Sequence, residues 1–583
     1  MQDDASEARA DRVGGLPTGT EGLPDAGRPE VVALADGDEL HLEIAPVRKR
    51  IGDAVVRMLA YNGSVPGPTL RIPQDATVTV HVTNRGDFDA TVHWHGLRLE
   101  NRYDGTHETQ APIPVGETFT YRITVPDPGA YWYHPHIRED YGQELGLYGN
   151  ILVDPADPEH WPPADRELLL TLDDVLIEDG RIAAFGESGP THVAMGRFGN
   201  TMLVAGEPEL TLDARRGEVV RLYLTNTANT RVFNAALPGA RLKLVGADSG
   251  HYEREELVEE ILLAPSERVV VDVLFDQPGE LALEHRTPER TYRLATVAVA
   301  DGPADPASAE RFHALRTNPD MREARELATA ALEAPPDKTL AFVAELDDVA
   351  PGEAHATGIH ACPMHPELAA SWPERCPTCG MKLAPAQAGA APETPFACPM
   401  HAEIRAAWEA TCPKCGMTLR AEHGGHHGHE AGRAAGTAPR IEWEDDMVEV
   451  NRLTTPATVR WKLVDRDSGA ENAQIDWTFR VGDRVKLRLV NELDSDHPMP
   501  HPFHVHGAGR FLVLARDGLP EPNLAWKDTV LVRTGETVDI LLEVTNPGRW
   551  MAHCHIAEHH EGGMMLGFDV LDDVAAAEEP ARG

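Results

Sequence analysis

One segment near the carboxyl end of the chain combines a thiol, imidazoles and a thioether at close spacing. Cys554 lies between His553 and His555, His559 follows four residues after His555, and Met564 follows five residues later. These are the ligand types of a blue-copper electron-transfer site. On an extended strand, the two neighbours of Cys554 point to the opposite face. The segment therefore predicts one metal site on the Cys554 face and a second on the face of His553 and His555.

Three further segments carry histidines in pairs. A pair at positions i and i+2 of a strand directs both imidazoles to one face, as a metal cluster requires. These histidines are His93 and His95, His134 and His136, and His504 and His506, with His501 preceding the last pair. With the Cys554 segment they amount to ten histidines. The four segments together favour a multinuclear metal site over isolated structural histidines.

On these four segments the chain resembles the multicopper oxidase family, the laccase-like three-domain enzymes. The resemblance covers nearly the whole chain outside residues 350–440. It implies four copper ions: a type 1 copper held by His501, Cys554 and His559 with Met564 axial, a type 2 copper held by His93 and His504, and a type 3 pair held by His95, His134, His136, His506, His553 and His555. In this family, the first site takes single electrons from a reductant and the other three coppers reduce dioxygen to water.

The resemblance also implies carboxylates that supply protons near the three-copper cluster. Asp104, in Tyr103-Asp104-Gly105, matches an acidic position beside the oxygen channel of the family. A second family acid follows the third histidine of the Cys554 segment, but here that position is His560. Glu558, Glu561 and His560 itself remain alternatives for that role. We further expect an exposed His501 or His559 to admit electrons from the reductant.

The composition indicates a globular and strongly acidic chain. Its 583 residues are typical of roughly four domains, and 42% of them are hydrophobic. A formal net charge of −41 repels nucleic acid and anionic membrane surfaces. No apolar run reaches the ~18 residues of a membrane span. We therefore expect neither a nucleic-acid partner nor a membrane span.

An internal repeat indicates three copies of one β-sandwich. Three alternating apolar and polar segments each end at an asparagine: Thr77–Asn84, Glu218–Asn226 and Arg484–Asn491. A second trio runs from a turn at Gly116, Ser266 or Gly535 to a glycine 13 residues later, which is Gly129, Gly279 or Gly548. Such spacing predicts a mainly β chain with three tandem cupredoxin-like sandwiches.

The repeat also predicts which sandwich lacks copper. Five residues after the later glycine, the first copy has His134 and the third copy has His553. The middle copy has Glu284 at that position and Arg286 two residues later. We therefore expect the copper cluster between the first and third sandwiches, with the middle sandwich as a spacer.

The predicted organisation follows from these repeats. It comprises a disordered leader (1–29), a first sandwich (30–158), a second sandwich without copper (159–302), a connector (303–337), a third sandwich (338–349 and 440–575) and an insert within the third sandwich (355–430). The connector is rich in Ala, Pro and Glu and is predicted to be partly helical.

The insert contains a second kind of metal motif in two copies. Residues 362–383 and 398–419 repeat with a period of 36 residues, and each copy contains Cys-Pro-x-Cys-Gly. The predicted ligands are Cys362, Met364, His365, Cys376 and Cys379 in the first copy and Cys398, Met400, His401, Cys412 and Cys415 in the second. Three cysteines per copy favour metal binding over disulfides. The copies resemble the heavy-metal-binding domains of bacterial metal transport proteins. Thiolate and thioether ligands suit Cu(I), and three cysteines with one histidine suit zinc equally well.

Several functions are compatible with these motifs. The leading hypothesis is an oxidase of Cu(I) that serves copper tolerance, with dioxygen as acceptor and an insert that captures or delivers copper. The alternatives are a laccase that oxidises phenols or amines, with a structural zinc or lid-like insert, and a copper-storage protein without turnover. Copper-homeostasis proteins are expected partners.

The amino-terminal residues bear on the compartment. Met1 to Pro29 is polar and contains no apolar stretch of the kind found in a signal peptide. Because similar enzymes are usually exported, we expect a periplasmic or secreted protein whose signal peptide has been removed. A cytoplasmic protein is the alternative.

Overall fold

The computed structural model describes most of the chain. The described residues are 12–13, 16–186, 189–304, 308–346 and 440–572, together with 360–362, 364–365, 367–370, 375–385, 396–397, 404–408, 410 and 419–421 of the insert. Strands account for 49% of the structure and helices for 7%, which agrees with the predicted mainly β fold.

The first sandwich is built from two sheets. One sheet orders the strands Val31–Ala33, Thr69–Pro73, Gly149–Asp154, Gly129–His134 and His93–His95, and the other orders Ala54–Tyr61, Glu39–Ile51, Thr77–Asn84 and Thr118–Thr124. Alternation decides which side chains enter the core between them: in Thr77–Asn84 the buried residues include Val78, Val80 and Val82.

The middle sandwich repeats this two-sheet plan. One sheet orders Thr201–Val204, Arg166–Val175, Glu218–Asn226, Arg268–Phe275, Arg241–Ala247 and Gly250–Val258, and the other orders Leu210–Arg216, Thr291–Pro303, Gly279–Arg286, Phe233–Ala236 and Glu260–Leu263. At the positions where histidines were absent from the repeat, Glu284 instead pairs with Arg286 at 2.9 Å.

The third sandwich carries the Cys554 segment. One sheet orders Val459–Asp465, Lys338–Leu346, Arg484–Asn491, Thr537–Val544, Gly509–Arg516 and Leu519–Pro520, with Trp526–Lys527 also paired to Gly509–Arg516. The other orders Trp477–Arg480, Met565–Leu571, Gly548–Cys554, His501–Val505 and Thr529–Val532. Two of the predicted metal segments are therefore adjacent strands of one sheet.

Small elements complete the described structure. The insert forms a sheet of two-residue strands in the order Ala384–Pro385, His360–Ala361, Ala369–Ala370, Arg405–Ala406, Phe396–Ala397 and Arg420–Ala421. Two further hairpins pair Arg12–Val13 with Leu16–Pro17 and Ile177–Glu178 with Arg181–Ile182. The helices are Glu139–Gly142, Ala309–Phe312, Met321–Leu332, Val448–Asn451 and Ala557–Glu561, with 3-10 turns at Asn101–Tyr103 and Asn472–Gln474.

The connector docks one of its helices onto the third sandwich. Met321–Leu332 buries Met321, Ala324 and Ala328 in a cluster with Leu512 and Leu514. Lys486, which is buried, donates from Nζ to the carbonyl oxygens at the end of this helix. A cation at this end also compensates the helix dipole.

Part of the predicted disordered leader is ordered. Arg48 N donates to Pro24 O at 2.9 Å, Ala26 N donates to Arg48 O at 2.9 Å and Gly27 N donates to Gly63 O at 2.8 Å, so residues 24–27 pair with the first sandwich. The prediction is wrong for that stretch, because main-chain pairing with strand edges needs no apolar pattern. Residues 1–11 and 14–15 lie outside the described residues. Among the described residues, no helix is long and apolar enough to cross a bilayer.

Candidate metal centres

The Cys554 site brings together the donors predicted for a type 1 copper. Cys554 Sγ lies 3.4 Å from His501 Nδ1 and 3.8 Å from His559 Nδ1. The pairing of Phe503 with Cys554 places His501 beside the cysteine, and helix Ala557–Glu561 returns His559 to it. Bond lengths of about 2.0 Å to nitrogen and 2.3 Å to sulfur place such donors roughly 3.5–3.8 Å apart around one ion. The spacing therefore fits a single metal ion bound to two nitrogens and one sulfur.

Met564 lies in the same buried cluster as Cys554. The main chain of Met564 is hydrogen-bonded to two of the predicted ligand residues. Cys554 N donates to Met564 O at 3.1 Å, and Met564 N donates to His559 O at 3.0 Å. Both side chains are fully buried. Burial raises the pKa of the Cys554 thiol, so a bound cation is needed to stabilise the thiolate there.

The two histidines predicted as type 1 copper ligands are not exposed. His501 is 1% exposed and His559 is fully buried, so the expectation of an exposed edge is wrong. Trp461 stacks on His559 with ring centroids 3.9 Å apart, and Phe342 stacks on His501 at 5.2 Å. Trp461 and Phe342 lie on strands of the other sheet of the third sandwich and together form a cover over His559 and His501. The Cys554 segment by itself could not predict this cover.

On the opposite face, the remaining predicted histidines form one buried cluster. Strand pairing sets His93 opposite His134 and His504 opposite His553. Within the predicted ligand sets, the ring centroids lie 5.0–5.7 Å apart for His95, His134 and His555, 4.9–5.1 Å apart for His136, His506 and His553, and 5.8 Å apart for His93 and His504. Contacts between the sets are as close, because His504 lies 3.8 Å from His95 and His93 lies 4.1 Å from His506. The structure thus brings together all eight histidines that the sequence assigned to this cluster.

The histidine nitrogens are arranged to face cations. His553 Nε2 lies 3.0 Å from His506 Nε2 and 3.4 Å from His136 Nε2. Elsewhere in the cluster, His93 Nε2, His134 Nε2 and His504 Nε2 are buried without a hydrogen-bond partner. Burial is the main cause that lowers the pKa of these histidines, so they are neutral and present lone pairs. Buried imidazole nitrogens whose lone pairs converge are suited to bind metal ions.

Asp104 lies at the cluster, as predicted. Its Oδ2 accepts a hydrogen bond from His506 Nδ1 at 2.9 Å, and its main-chain oxygen accepts one from His93 Nδ1 at 2.7 Å. Both bonds leave Nε2 of the histidine free for a metal ion. Burial raises the pKa of Asp104 well above its usual range.

The other two predicted carboxylates lie further from the metal-facing nitrogens. Glu558 accepts hydrogen bonds from Asn229 at 3.3 Å and Thr230 at 3.2 Å of the middle sandwich. Glu561 Oε1 accepts a bond from the main-chain nitrogen of Glu139 at 3.0 Å. Neither contact is with a cluster histidine.

Glu139 is the acid that sequence reasoning missed. Its Oε1 lies 3.4 Å from His136 Nε2, and its Oε2 lies 3.3 Å from His560 Nδ1. The His560 ring in turn lies 4.4 Å from the His553 ring. Glu139 lies three residues after His136 and begins helix Glu139–Gly142, which brings its carboxylate back to the cluster. This spacing is the sequence signal that could have identified it.

The first insert module also assembles its predicted donors. Cys362 Sγ lies 3.5 Å from Cys379 Sγ, and His365 Nδ1 lies 3.7 Å from Cys362 Sγ and 3.4 Å from Cys376 Sγ. These spacings fit a tetrahedral ion with three sulfurs and one nitrogen. Cys362, Cys376 and Cys379 form no disulfide with a described residue. Met364 packs against the same hydrophobic cluster, and the second module's Cys398, Met400, His401, Cys412 and Cys415 lie outside the described residues.

This module packs on the loop that leads into His501. Arg375 forms an ion pair with Asp494 at 3.1 Å, and Lys382 lies 3.9 Å from Asp496. Cys362 and Cys376 belong to the same buried cluster as Cys554 and Trp461. The insert is therefore continuous with the hydrophobic core around the Cys554 site.

Comparison with known proteins agrees with both kinds of centre. Sequence profiles described as multicopper oxidase match residues 45–158 and 445–574. The first and third sandwiches therefore contain multicopper oxidase domains. A profile described as heavy metal binding domain matches residues 361–386. Multicopper oxidase domains imply bound copper and support an oxidoreductase.

Known relatives match most or about half of this chain at low sequence identity. A multicopper oxidase of Mycobacterium tuberculosis is 26% identical over 90% of this chain and 86% of its own length. Copper resistance protein A of Escherichia coli is 27% identical over 47% of this chain and 52% of its own length. Among solved structures, a metallo-oxidase from Campylobacter jejuni aligns with a TM-score of 0.61 at 20% identity, over 96% of this chain and 99% of that one. The fold is therefore three cupredoxin-like sandwiches, as predicted.

Proposed function

We propose that this protein oxidises Cu(I) at the Cys554 site and reduces dioxygen to water at the histidine cluster. The observation that carries the proposal is the adjacency of the two centres in one strand. Cys554 faces His501 and His559, whereas its neighbours His553 and His555 face the cluster. A covalent path that crosses a single peptide bond therefore joins Cys554 to each neighbouring histidine.

Bound copper supplies one-electron chemistry at the first centre and four-electron reduction of dioxygen at the second. The chain itself supplies the ligands: His501, Cys554, His559 and Met564 for the first ion, His93 and His504 for the type 2 ion, and the other six cluster histidines for the type 3 pair. Asp104 holds His506 and His93 in the orientation that directs Nε2 to the metal. The buried Glu139 and His560 pair lies where a proton is needed beside His136.

The cover over the first centre favours a small reductant. His501 and His559 are packed beneath Phe342 and Trp461, so a phenol ring has no direct contact with either imidazole. His497 lies next to this cover, with its ring 6.0 Å from that of Trp461. Both of its ring nitrogens are buried without a hydrogen-bond partner. His497 offers an imidazole, and Met499, two residues later, and Met447 are buried thioethers of the hydrophobic cluster that contains Trp461. Imidazole and thioether are donors that bind Cu(I).

The first insert module is placed to exchange metal with this position. Arg375 and Lys382 attach it to the 494–496 segment, which immediately precedes His497. We propose that Cys362, His365, Cys376 and Cys379 capture copper and release it toward His497. A tetrahedral zinc ion with a purely structural role fits the same four donors. Competition between copper and zinc for the purified protein, measured as metal content per chain, distinguishes these two roles.

Oxygen uptake with different reductants tests the substrate. The rate of oxygen uptake is measured with Cu(I), with Fe(II) and with a phenol, first for the intact protein and then for the variant Cys376→Ser/Cys379→Ser. We expect Cu(I) to be the best reductant and the double variant to slow Cu(I) oxidation specifically. Cys412→Ser/Cys415→Ser in the second copy is the matched control. If the phenol is the better substrate and the double variant oxidises it faster, the protein is a laccase and the insert a lid.

The variant Cys554→Ser tests turnover itself. Loss of the thiolate ligand removes the intense visible absorption of a copper–thiolate bond, and we expect oxygen uptake to cease while copper remains at the histidine cluster. Oxygen uptake by Cys554→Ser at the wild-type rate would refute the route through Cys554. Copper binding without any oxygen uptake by the intact protein would identify a storage protein.

Copper tolerance and an extracytoplasmic location follow as parts of this proposal. The copper resistance proteins among the relatives support the first part. Fractionation of cells that express the full-length gene, with oxygen uptake measured in each fraction, tests the second part.

A further inference from the structure

A buried arginine of the middle sandwich lies where all three sandwiches meet. Arg268 begins the strand Arg268–Phe275, and its side chain is fully buried. Its Nε donates to Ala130 O of the first sandwich at 2.9 Å. Its guanidinium pairs with Asp528 of the third sandwich, where Nη1 donates to Oδ1 at 2.8 Å and Nη2 donates to Oδ2. One cation therefore connects the three sandwiches through charge-assisted hydrogen bonds.

Asp528 in turn contacts two histidines of the cluster. Its Oδ1 accepts a hydrogen bond from His95 Nε2 at 3.1 Å, and its main-chain oxygen accepts one from His504 Nδ1 at 2.9 Å. Thr529 Oγ1 lies 3.1 Å and 3.2 Å from the same two nitrogens. The opposite nitrogens, His95 Nδ1 and His504 Nε2, are buried and unpaired. Each histidine is thus held in one tautomer with a lone pair directed into the cluster.

Close packing keeps this ion pair in place. Gly96 directly follows His95 and has a φ of +83°. A Cβ atom at Gly96 would lie 2.5 Å from Asp528 Oδ2 and 2.7 Å from Arg268 Nη2. On the other side, Asp248 accepts hydrogen bonds from Arg268 N at 2.9 Å and Asp528 N at 3.3 Å. The pair therefore has little freedom to rotate away from His95.

The internal repeat marks this position as special to the middle sandwich. In the aligned turns, the residue after Glu117, Glu267 or Glu536 is Thr118, Arg268 or Thr537. Thr118 is exposed and Thr537 is half-buried, whereas Arg268 is buried. The middle sandwich, which lacks the predicted copper-binding histidines, thus carries a buried cation at the position where the first and third sandwiches carry threonine.

We propose that Arg268 is a positioning residue for the copper cluster and acts through Asp528 on His95 and His504. The middle sandwich is then not only a spacer, because it fixes ligands contributed by the other two. This inference rests on the proposed assignment of His95 and His504 as copper ligands. Loss of such an outer partner typically lowers metal affinity about 10–100-fold.

Copper retention by matched variants tests the proposal. Arg268→Met removes the guanidinium, and Arg268→Lys keeps the charge but not the fork of donors. The matched control is Arg221→Met, because Arg221 forms a similar buried pair with Asp272 at 2.8 Å and 3.1 Å within the middle sandwich. Copper per chain and the electron paramagnetic resonance spectrum are measured across a chelator series, with the melting temperature of each copper-free variant.

The expected results separate positioning from stability. Arg268→Met should retain copper roughly 10–100-fold more weakly than wild type, with an altered resonance spectrum, and Arg268→Lys should recover part of the loss. Arg221→Met should lower the melting temperature but retain copper as wild type does. Equal losses of copper from Arg268→Met and Arg221→Met would overturn the proposal.

Histidine tautomers in the copper-free protein give a second readout. With nitrogen-15-labelled histidine, wild type should show His95 protonated at Nε2 and His504 protonated at Nδ1. In Arg268→Met, or in the isosteric Asp528→Asn if the former does not fold, we expect mixed tautomers at His95, whose acceptor is the Asp528 side chain. His504 should keep its tautomer, because its acceptor is the main-chain oxygen of Asp528. An unchanged tautomer at His95 would overturn the proposal. Because this measurement needs no copper, it remains decisive even if the proposed oxidase function fails.

Discussion

The variant Trp461→Ala offers a direct test of how the cover controls the Cys554 site. Trp461 is 1% exposed, stacks on His559 at 3.9 Å and donates from Nε1 to Val193 O at 2.6 Å. Replacing a buried tryptophan with alanine costs about 3–5 kcal/mol of unfolding free energy, and the unpaired Val193 carbonyl adds roughly 1 kcal/mol. The substitution leaves a cavity on the order of 100 Å³ beside His559, a size that admits a benzene ring.

We therefore expect Trp461→Ala to be less stable but more active toward phenols. The melting temperature should fall by roughly 10 °C, while the rate of phenol oxidation rises relative to that of Cu(I). Oxygen uptake with each reductant, measured well below the melting temperature, provides the ratio.

Trp477→Ala is the matched control for this experiment. Trp477 is 3% exposed in the same hydrophobic cluster, and its ring packs near Phe479 at 6.1 Å. It should lose comparable stability without a change in the ratio of the two rates. A phenol rate that stays flat in Trp461→Ala, or rises equally in both variants, would refute the idea that the Trp461 ring excludes organic reductants.

Three further predictions concern the cluster, the connector and pH. Asp104→Asn weakens the acceptor for His506 Nδ1, so copper retention measured by metal analysis should fall about 10–100-fold. Lys486→Met leaves the carbonyl oxygens of Ala331, Leu332 and Ala334 without their buried donor. It should weaken docking of Met321–Leu332 by about 3 kcal/mol, seen as faster hydrogen exchange in that helix. Burial raises the pKa of Glu144 from 4.5 to about 7, so the folded state holds a proton that the unfolded state releases, and unfolding free energy falls as pH rises between these values. Glu144→Gln should reduce that fall in denaturant titrations at both ends of the range, and an unchanged pH dependence would contradict the prediction.

The clustering of the predicted donors in the oxidase body could be anticipated from sequence because their placement along each strand is local. Alternation along a strand separates Cys554 from His553 and His555, and the i, i+2 spacing places His93 and His95 on one face. The repeat then located the sandwiches by comparing turns and glycines within one chain. The family resemblance, rather than a local pattern, pointed to Asp104, which directly precedes the positive-φ Gly105.

The misplaced expectations involve contacts between elements distant in the chain. The burial of His501 depends on Phe342, which stacks on its ring. Phe342 belongs to the strand Lys338–Leu346, which precedes the insert in the sequence, whereas His501 follows it. Glu139 was missed because its carboxylate becomes a neighbour of His560 only when the helices Glu139–Gly142 and Ala557–Glu561 meet between sandwiches. Neither contact has a periodic signal along the chain.

The sequence by itself determined the donor types, their faces and the number of sandwiches, because each depends on spacing within a strand or on comparison between repeats. Only the tertiary structure decided what surrounds those donors. Trp461 above His559, the first insert module against the 494–496 segment, and Arg268 behind Asp528 all join residues from separate sheets or sandwiches. Such contacts form only when whole sheets and sandwiches pack together, so no local sequence pattern predicts them.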